Sequence, residues 1–211
     1  MAALLETKEL SCERDERVLV DRLNLVVNKG HVYQIEGPNG SGKTSLLRVL
    51  CGLSSRYTGD ILWQGETLAK HRAEFLSELL YVGHSAGIKP VLTPRENLHW
   101  LASISGNIKS NTVAKDIAAA LENVGLYGFE DVPCYTLSAG QQRRVTLARL
   151  FLIKAALWIL DEPFTAIDKL GVQELESWIE QHALNGGAVI LTTHHELNIE
   201  RILYKVTLGA F

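Results

Sequence analysis

Eight residues, Gly37-Pro38-Asn39-Gly40-Ser41-Gly42-Lys43-Thr44, constrain the fold of this chain more than any others. They fit the spacing in which four variable residues separate two glycines and a lysine and a hydroxyl follow. A chance match in 211 residues is roughly a one-in-a-hundred event at average residue usage. The flanks add to it. His31 to Glu36 reads as a strand, and Ser45 to Cys51 has helical spacing with Leu46, Leu47 and Leu50 on one side and Gly52 as its stop. A strand that runs through a glycine-rich loop into a helix converges backbone N–H groups on phosphate oxygens, and the helix N-terminus adds a favourable field. In that setting Lys43 is expected to neutralise β- and γ-phosphates, and the Thr44 hydroxyl to ligate Mg²⁺.

The rest of the sequence reads as α/β. Leu4 to Ser11 and Leu23 to Val27 alternate as strands, and Lys29-Gly30 is a turn. Ile61 to Trp63 is a short strand bracketed by turns at Thr58-Gly59-Asp60 and Gln64-Gly65-Glu66. From about Thr93 to Leu126 the pattern is helical, with a polar break at Asn107 to Asn111. Thr93 is placed to cap that start, with Pro94 at the first helical position and Glu96 completing a capping box. Ser138 is placed to cap a helix running through Arg149. Leu157 to Leu160 and Val189 to Thr192 are short apolar runs flanked by helical sequence, the pattern of buried parallel strands. Val172 to Ala183 forms an amphipathic helix ended by Asn185-Gly186-Gly187. These pieces predict a parallel-sheet core with a mostly helical lobe inserted between about His84 and Lys154.

Composition narrows the function. The net charge is −3 and no basic face is visible, which argues against a nucleic-acid partner. No run of about 18 uncharged apolar residues occurs, so a membrane role must come through a partner. Glu6, Lys8 and Glu9 near the start do not form a secretory signal. Cys12, Cys51 and Cys134 are far apart and are expected as buried small hydrophobes.

Two further blocks carry chemistry. Leu157-Trp158-Ile159-Leu160 delivers Asp161 and Glu162 at the carboxyl end of a strand, where ligands sit in open α/β sheets. Asp161 is expected on Mg²⁺, directly or through water, and Glu162 as the general base on the attacking water. Shortly before it stands Leu137-Ser138-Ala139-Gly140-Gln141-Gln142-Arg143-Arg144, whose hydroxyl, small residues and helix start make a second phosphate-binding surface.

That block resembles the LSGGQ signature of ABC ATPases, with Ala139 at the first of its two glycine positions. The resemblance covers essentially the whole chain. It implies an ABC nucleotide-binding domain: a P-loop NTPase (RecA-like) α/β core, an antiparallel β subdomain and an inserted α-helical lobe. It also implies one domain over 1–211, with a catalytic core of about 1–84 and 155–211 and a signature lobe of about 85–154. ATP and Mg²⁺ are then expected at Gly37, Pro38, Asn39, Gly40, Ser41, Gly42, Lys43 and Thr44, with Ser138, Gly140 and Gln141 meeting the γ-phosphate on the opposite subunit of a dimer. Phe164 to Asp168 looks like the family's D-loop at the dimer interface, and His194, rather than the adjacent His195, looks like its switch histidine.

A narrower likeness rests on Leu157 to Asp168, Leu137 to Arg144, Ile61 to Gly65, and Gly83-His84 with Gly87-Ile88-Lys89. These look like the ATP-binding subunits of bacterial cytochrome c maturation systems, a family of haem-exporter ATPases. The likeness implies a peripheral subunit on the cytoplasmic face of the inner membrane. Its expected partners are a CcmB-like permease with CcmC-like and CcmD-like proteins, and its expected role is release of a haem-loaded chaperone. Two positions depart from the general ABC pattern. His84 stands where a glutamine is expected, and imidazole suits hard Mg²⁺ poorly, so coupling to the membrane partner is the functional reading and a strand-end histidine the plain one. No Tyr or Phe lies in Cys12 to Arg17 to stack on adenine, which leaves Arg14 or Arg17. Other readings are another ABC importer or exporter, a soluble ABC ATPase acting on DNA or ribosomes, or a P-loop kinase or GTPase. The signature block and the Asp161-Glu162 pair argue against the last, and the absence of long coiled-coil inserts against the soluble class.

Overall fold

The structure, a computed structural model, describes residues 3–14, 17–105 and 113–209. Two sheets organise the chain. Strands β1 (Leu5–Arg14), β2 (Arg17–Val27), β4 (Tyr57–Trp63) and β5 (Glu66–Thr67) form an antiparallel sheet ordered β2-β1-β4-β5. Strands β3 (Val32–Glu36), β6 (Leu79–Val82), β7 (Leu157–Asp161), β8 (Ala188–Thr192) and β9 (Leu203–Thr207) form an all-parallel sheet ordered β6-β7-β8-β3-β9.

Alternation in the central strands decides what lies on each face. Trp158 and Leu160 of β7, with Val189 and Leu191 of β8, join one apolar cluster. That cluster also takes side chains from α3 (Pro94–Ser105), α4 (Val113–Asn123), α5 (Ala139–Leu147), α6 (Arg149–Leu152) and α7 (Lys169–Leu184). Leu157 and Ile159, with Ala188 and Ile190, face the other way onto α1 (Lys43–Leu50), α2 (Arg72–Ser77) and the antiparallel sheet. Both faces are covered, which is why β7 and β8 read as continuous apolar runs. The same parity puts Asp161 and Thr192, paired in register, on the α1 face.

β3, α1, β7 and β8 fall within two residues of their predicted spans, whereas β1 runs on to Arg14, β2 begins at Arg17, β4 at Tyr57 and α7 at Lys169. Thr93 and Glu96 form the expected capping box at the start of α3: Glu96 N–H donates to Thr93 Oγ1 at 3.1 Å, and Thr93 N–H to Glu96 at 2.9 Å. All three cysteines are buried and free. The polar break at Asn107 to Asn111 lies outside the described residues. Two expectations need correction. Thr58-Gly59-Asp60 is not a turn but part of β4, opposite an irregularity between Lys8 and Ser11 of β1. Gly59 has φ 88, and a Cβ there would collide with the Glu9 carbonyl oxygen, so the bulge needs glycine. The helix expected from Ser138 through Arg149 divides at Ala148, where the Phe151 N–H tightens onto the Ala148 carbonyl.

His182 of α7 stacks on Trp158 with ring centroids 3.8 Å apart. Burial pushes its imidazole down to about 4 from 6.5, so folding disfavours the protonated form. The unfolded chain therefore binds the extra proton first. Stability is fully present above about pH 6.5 and declines as the pH falls toward 4. Thermal unfolding between pH 7 and 4.5 should show that loss, and His182→Phe should flatten it; an unchanged slope removes His182 as the cause.

Candidate active site at the carboxyl ends of the parallel strands

The phosphate loop joins β3 to α1, so it leaves the sheet at a strand's carboxyl end. Gly42 takes the N-cap position of α1 at φ 91, and a Cβ there would lie 2.7 Å from the Leu19 side chain. Only glycine adopts that turn at such close approach. Lys43 donates to the carbonyl oxygens of Gly37 (2.7 Å) and Pro38 (3.1 Å), folding its ammonium back over the loop. The Ser41 hydroxyl is buried without a hydrogen-bond partner.

β7 and β8 bring the carboxylates to this loop. Asp161 is 1% exposed; its Oδ1 accepts from the Thr192 hydroxyl at 2.7 Å, while Oδ2 is buried without a partner. The Glu162 N–H donates to the Thr192 hydroxyl (3.0 Å) and carbonyl (3.2 Å). Glu162 itself has φ 47, a left-handed backbone that costs a non-glycine residue energy and must be held by its surroundings. Asn39, Gly40, Gly42, Lys43 and Thr44 line one cleft of about 510 Å³ together with Asp161, Glu162 and His194. His194 Nε2 lies 3.7 Å from Glu162 Oε1. His195 points elsewhere, with its Nε2 3.1 Å from Glu176 and its ring against Phe164. Geometry therefore separates the two neighbouring histidines.

Not every expected residue reaches this cleft. Gly37 lines a neighbouring hollow together with Lys43 and His194, and Pro38 and Ser41 line another together with Asn39 and Gly40. Ser138, Gly140 and Gln141 do not line the cleft of their own chain. Ser138 caps α5: its hydroxyl accepts from the Gln141 N–H at 3.2 Å, and the Gln141 side chain accepts from the Ser138 N–H at 2.9 Å. Gly140 packs so tightly that a Cβ would lie 2.7 Å from the carbonyl oxygen of Ala166, in the expected D-loop. His84 and Arg14 both line the cleft, whereas Arg17 borders the loop's outer side.

Sequence reasoning missed three residues that hold these groups. Thr192 bridges Asp161 and Glu162, and its signal was parity with Asp161 across adjacent strands. Arg144 ties α5 to Asp168 (3.0 Å) of the expected D-loop and to Glu174 (3.1 Å) of α7. Arg143 is 4% exposed and donates to the backbone carbonyls of Gly83 and Glu162, which follow the neighbouring strands β6 and β7.

A family model described as ABC transporter matches residues 20–165. The cytochrome c biogenesis ATP-binding export protein CcmA of Hahella chejuensis is 51% identical over 208 residues, covering 98% of this chain and 96% of that relative. The protein of the same name from Pseudomonas fluorescens is 53% identical over 195 residues, covering 92% and 90%. The solved structure of an ABC transporter ATP-binding protein from Pyrococcus furiosus superposes with a TM-score of 0.81 at 27% identity, over 95% of this chain and 96% of that one. Its fold agrees with the two sheets and the intervening helices described above. Half-identity across nearly the full length of both chains, on a fold shared with solved ABC cassettes, settles the family: the chain belongs to the ATP-binding, ATP-hydrolysing subunits of ABC transporters, within the group of CcmA proteins.

Proposed function

We propose that the chain powers export in cytochrome c biogenesis, as the ATPase subunit of a haem exporter whose turnover drives release of a haem-loaded chaperone. The names of its half-identical relatives support this reading over other importers or exporters. The observation that carries the chemistry is the single cleft shared by Lys43, Thr44, Asp161, Glu162 and His194. Lys43 neutralises the β- and γ-phosphates, and the loop N–H groups between Gly37 and Thr44, Pro38 excepted, cradle them. The unpartnered Asp161 Oδ2 and the Thr44 hydroxyl are hard oxygen donors in that cleft, and they fit Mg²⁺. Mg²⁺ held there supplies charge neutralisation on the phosphates. Glu162 takes the proton of the attacking water, and His194 contacts the γ-phosphate and orients that water.

Ser138, Gly140 and Gln141 act on the nucleotide of a second copy. Their separation from the cleft of their own chain supports this arrangement. The domain spans 1–211; the helical segment of about 85–154 is the lobe that transmits closure, and about 1–84 with 155–211 is the catalytic core. No helix among the described residues is long and apolar enough to cross a membrane. The likeness to CcmA proteins, rather than that absence, supports a peripheral place on the cytoplasmic face of the inner membrane, against a CcmB-like permease with CcmC-like and CcmD-like proteins, with His84 serving coupling to that permease. Affinity capture from native membranes with the Glu162→Gln chain and Mg-ATP tests the assignment. A CcmB-like protein with haem-handling proteins is the expected catch. An unrelated permease keeps the ABC motor and discards the haem reading.

A further inference from the structure

Arg143 sits on α5, the helix capped by Ser138, and its side chain is buried. A guanidinium has five N–H donors and no acceptor. Here they reach five backbone carbonyls. Nε donates to Pro163 (3.2 Å), and Nη2 to Asp161 (3.2 Å) and Glu162 (2.9 Å). Nη1 donates to Gly83 (3.0 Å) and, at the limit of 3.5 Å, to His84. No carboxylate lies within ion-pair distance of Arg143 among the described residues. A buried cation without a direct partner is costly, so its position needs a reason beyond packing.

The reason lies at Glu162. Its left-handed backbone persists only if neighbours over-determine it. Thr192 holds the N–H of Glu162, and Arg143 holds its carbonyl. The peptides on both sides of this strained residue are thus fixed by two side chains. The same planar fork grips Gly83 and His84, so that segment cannot shift without breaking bonds of the fork or pulling on the backbone of Glu162.

We propose that Arg143 is a positioning residue for hydrolysis, holding the Glu162 backbone in its reactive conformation and tying it mechanically to the Gly83–His84 segment. This rests on the reading of Glu162 as general base. Lysine keeps the charge but cannot fork, so Arg143→Lys isolates the geometry. The experiment measures kcat, KM, the Kd of Mg-ATP and the thermal midpoint for Arg143→Lys, Glu162→Gln and the double variant. Arg143→Lys is expected to fold, to lower kcat roughly 10- to 100-fold, and to leave KM and Kd within about threefold. In the Glu162→Gln background the same change should cost no further turnover, because both act through one group. Unchanged kcat in folded Arg143→Lys overturns the proposal, as does a parallel rise in Kd or a multiplicative loss in the double variant. If Arg143→Lys does not fold, Arg143→Gln, which removes the buried charge, gives the same readouts. If neither folds, Arg143 is a core residue and the proposal fails. A Glu162→Gln chain with wild-type turnover removes the base assignment and this proposal together, whereas a multiplicative loss on top of a strongly slowed Glu162→Gln removes only the role of Arg143.

Discussion

Glu162→Gln is expected to bind Mg-ATP about as tightly as the parent chain while losing roughly 10²- to 10⁴-fold in turnover, the range for a positioned general base. The amide has the shape of the carboxylate but cannot take a proton from water. The features that set the residue's backbone do not involve its side chain: the Thr192 and Arg143 contacts both run to main-chain atoms. The substitution should therefore leave the loop, Asp161 and the cleft in place. Phosphate release measured beside equilibrium nucleotide binding separates the two properties. Near-normal release would show that another group activates the water.

Lys43→Ala is expected to fail earlier, at binding. Its ammonium is the cation contributed by the loop itself, and its bonds to the Gly37 and Pro38 carbonyls hold it over the proposed phosphate site. Hydrogen bonds to charged groups contribute about 1.5–3 kcal/mol, and more in a partly desolvated site. Removing this one should raise the Kd of ATP roughly 10- to 150-fold. The β3–loop–α1 unit should stay folded, because its turns are set by glycine backbone and its helix packs through Leu46, Leu47 and Leu50. Titration with a fluorescent ATP analogue reads the effect. A Kd within about twofold of the parent would place the phosphates elsewhere.

The two variants are expected to fail at different steps, and the sequence motifs suggest the same division. The phosphate loop was legible because its spacing, its preceding strand and its following helix agree. The Asp161-Glu162 pair was legible because an apolar run of strand length ends in it. Choosing His194 over His195 followed order in the chain, and the structure gives the physical difference: only His194 turns toward Glu162, whereas Glu176 and Phe164 occupy His195. Other parts had no local signal. β9 is a half-exposed strand next to β3, without the apolar run that marks β7 and β8. Gly59 looked like a turn because glycine serves a bulge for the same backbone reason. Arg143 was visible only as one of two arginines after the signature. Its five carbonyl partners come from segments about 20 and 60 residues away, a convergence that periodicity does not encode.

In the proposed mechanism hydrolysis needs two copies, with the loop and Glu162 of one facing Ser138 of the other. Light-scattering mass of the Glu162→Gln chain with Mg-ATP tests it most directly. The predicted result is twice the 23.4 kDa of the chain. Adding Ser138→Arg should return the mass to one chain with ATP still bound. An ATP-loaded Glu162→Gln chain that stays at 23.4 kDa, or a doubled mass that survives Ser138→Arg, would contradict it.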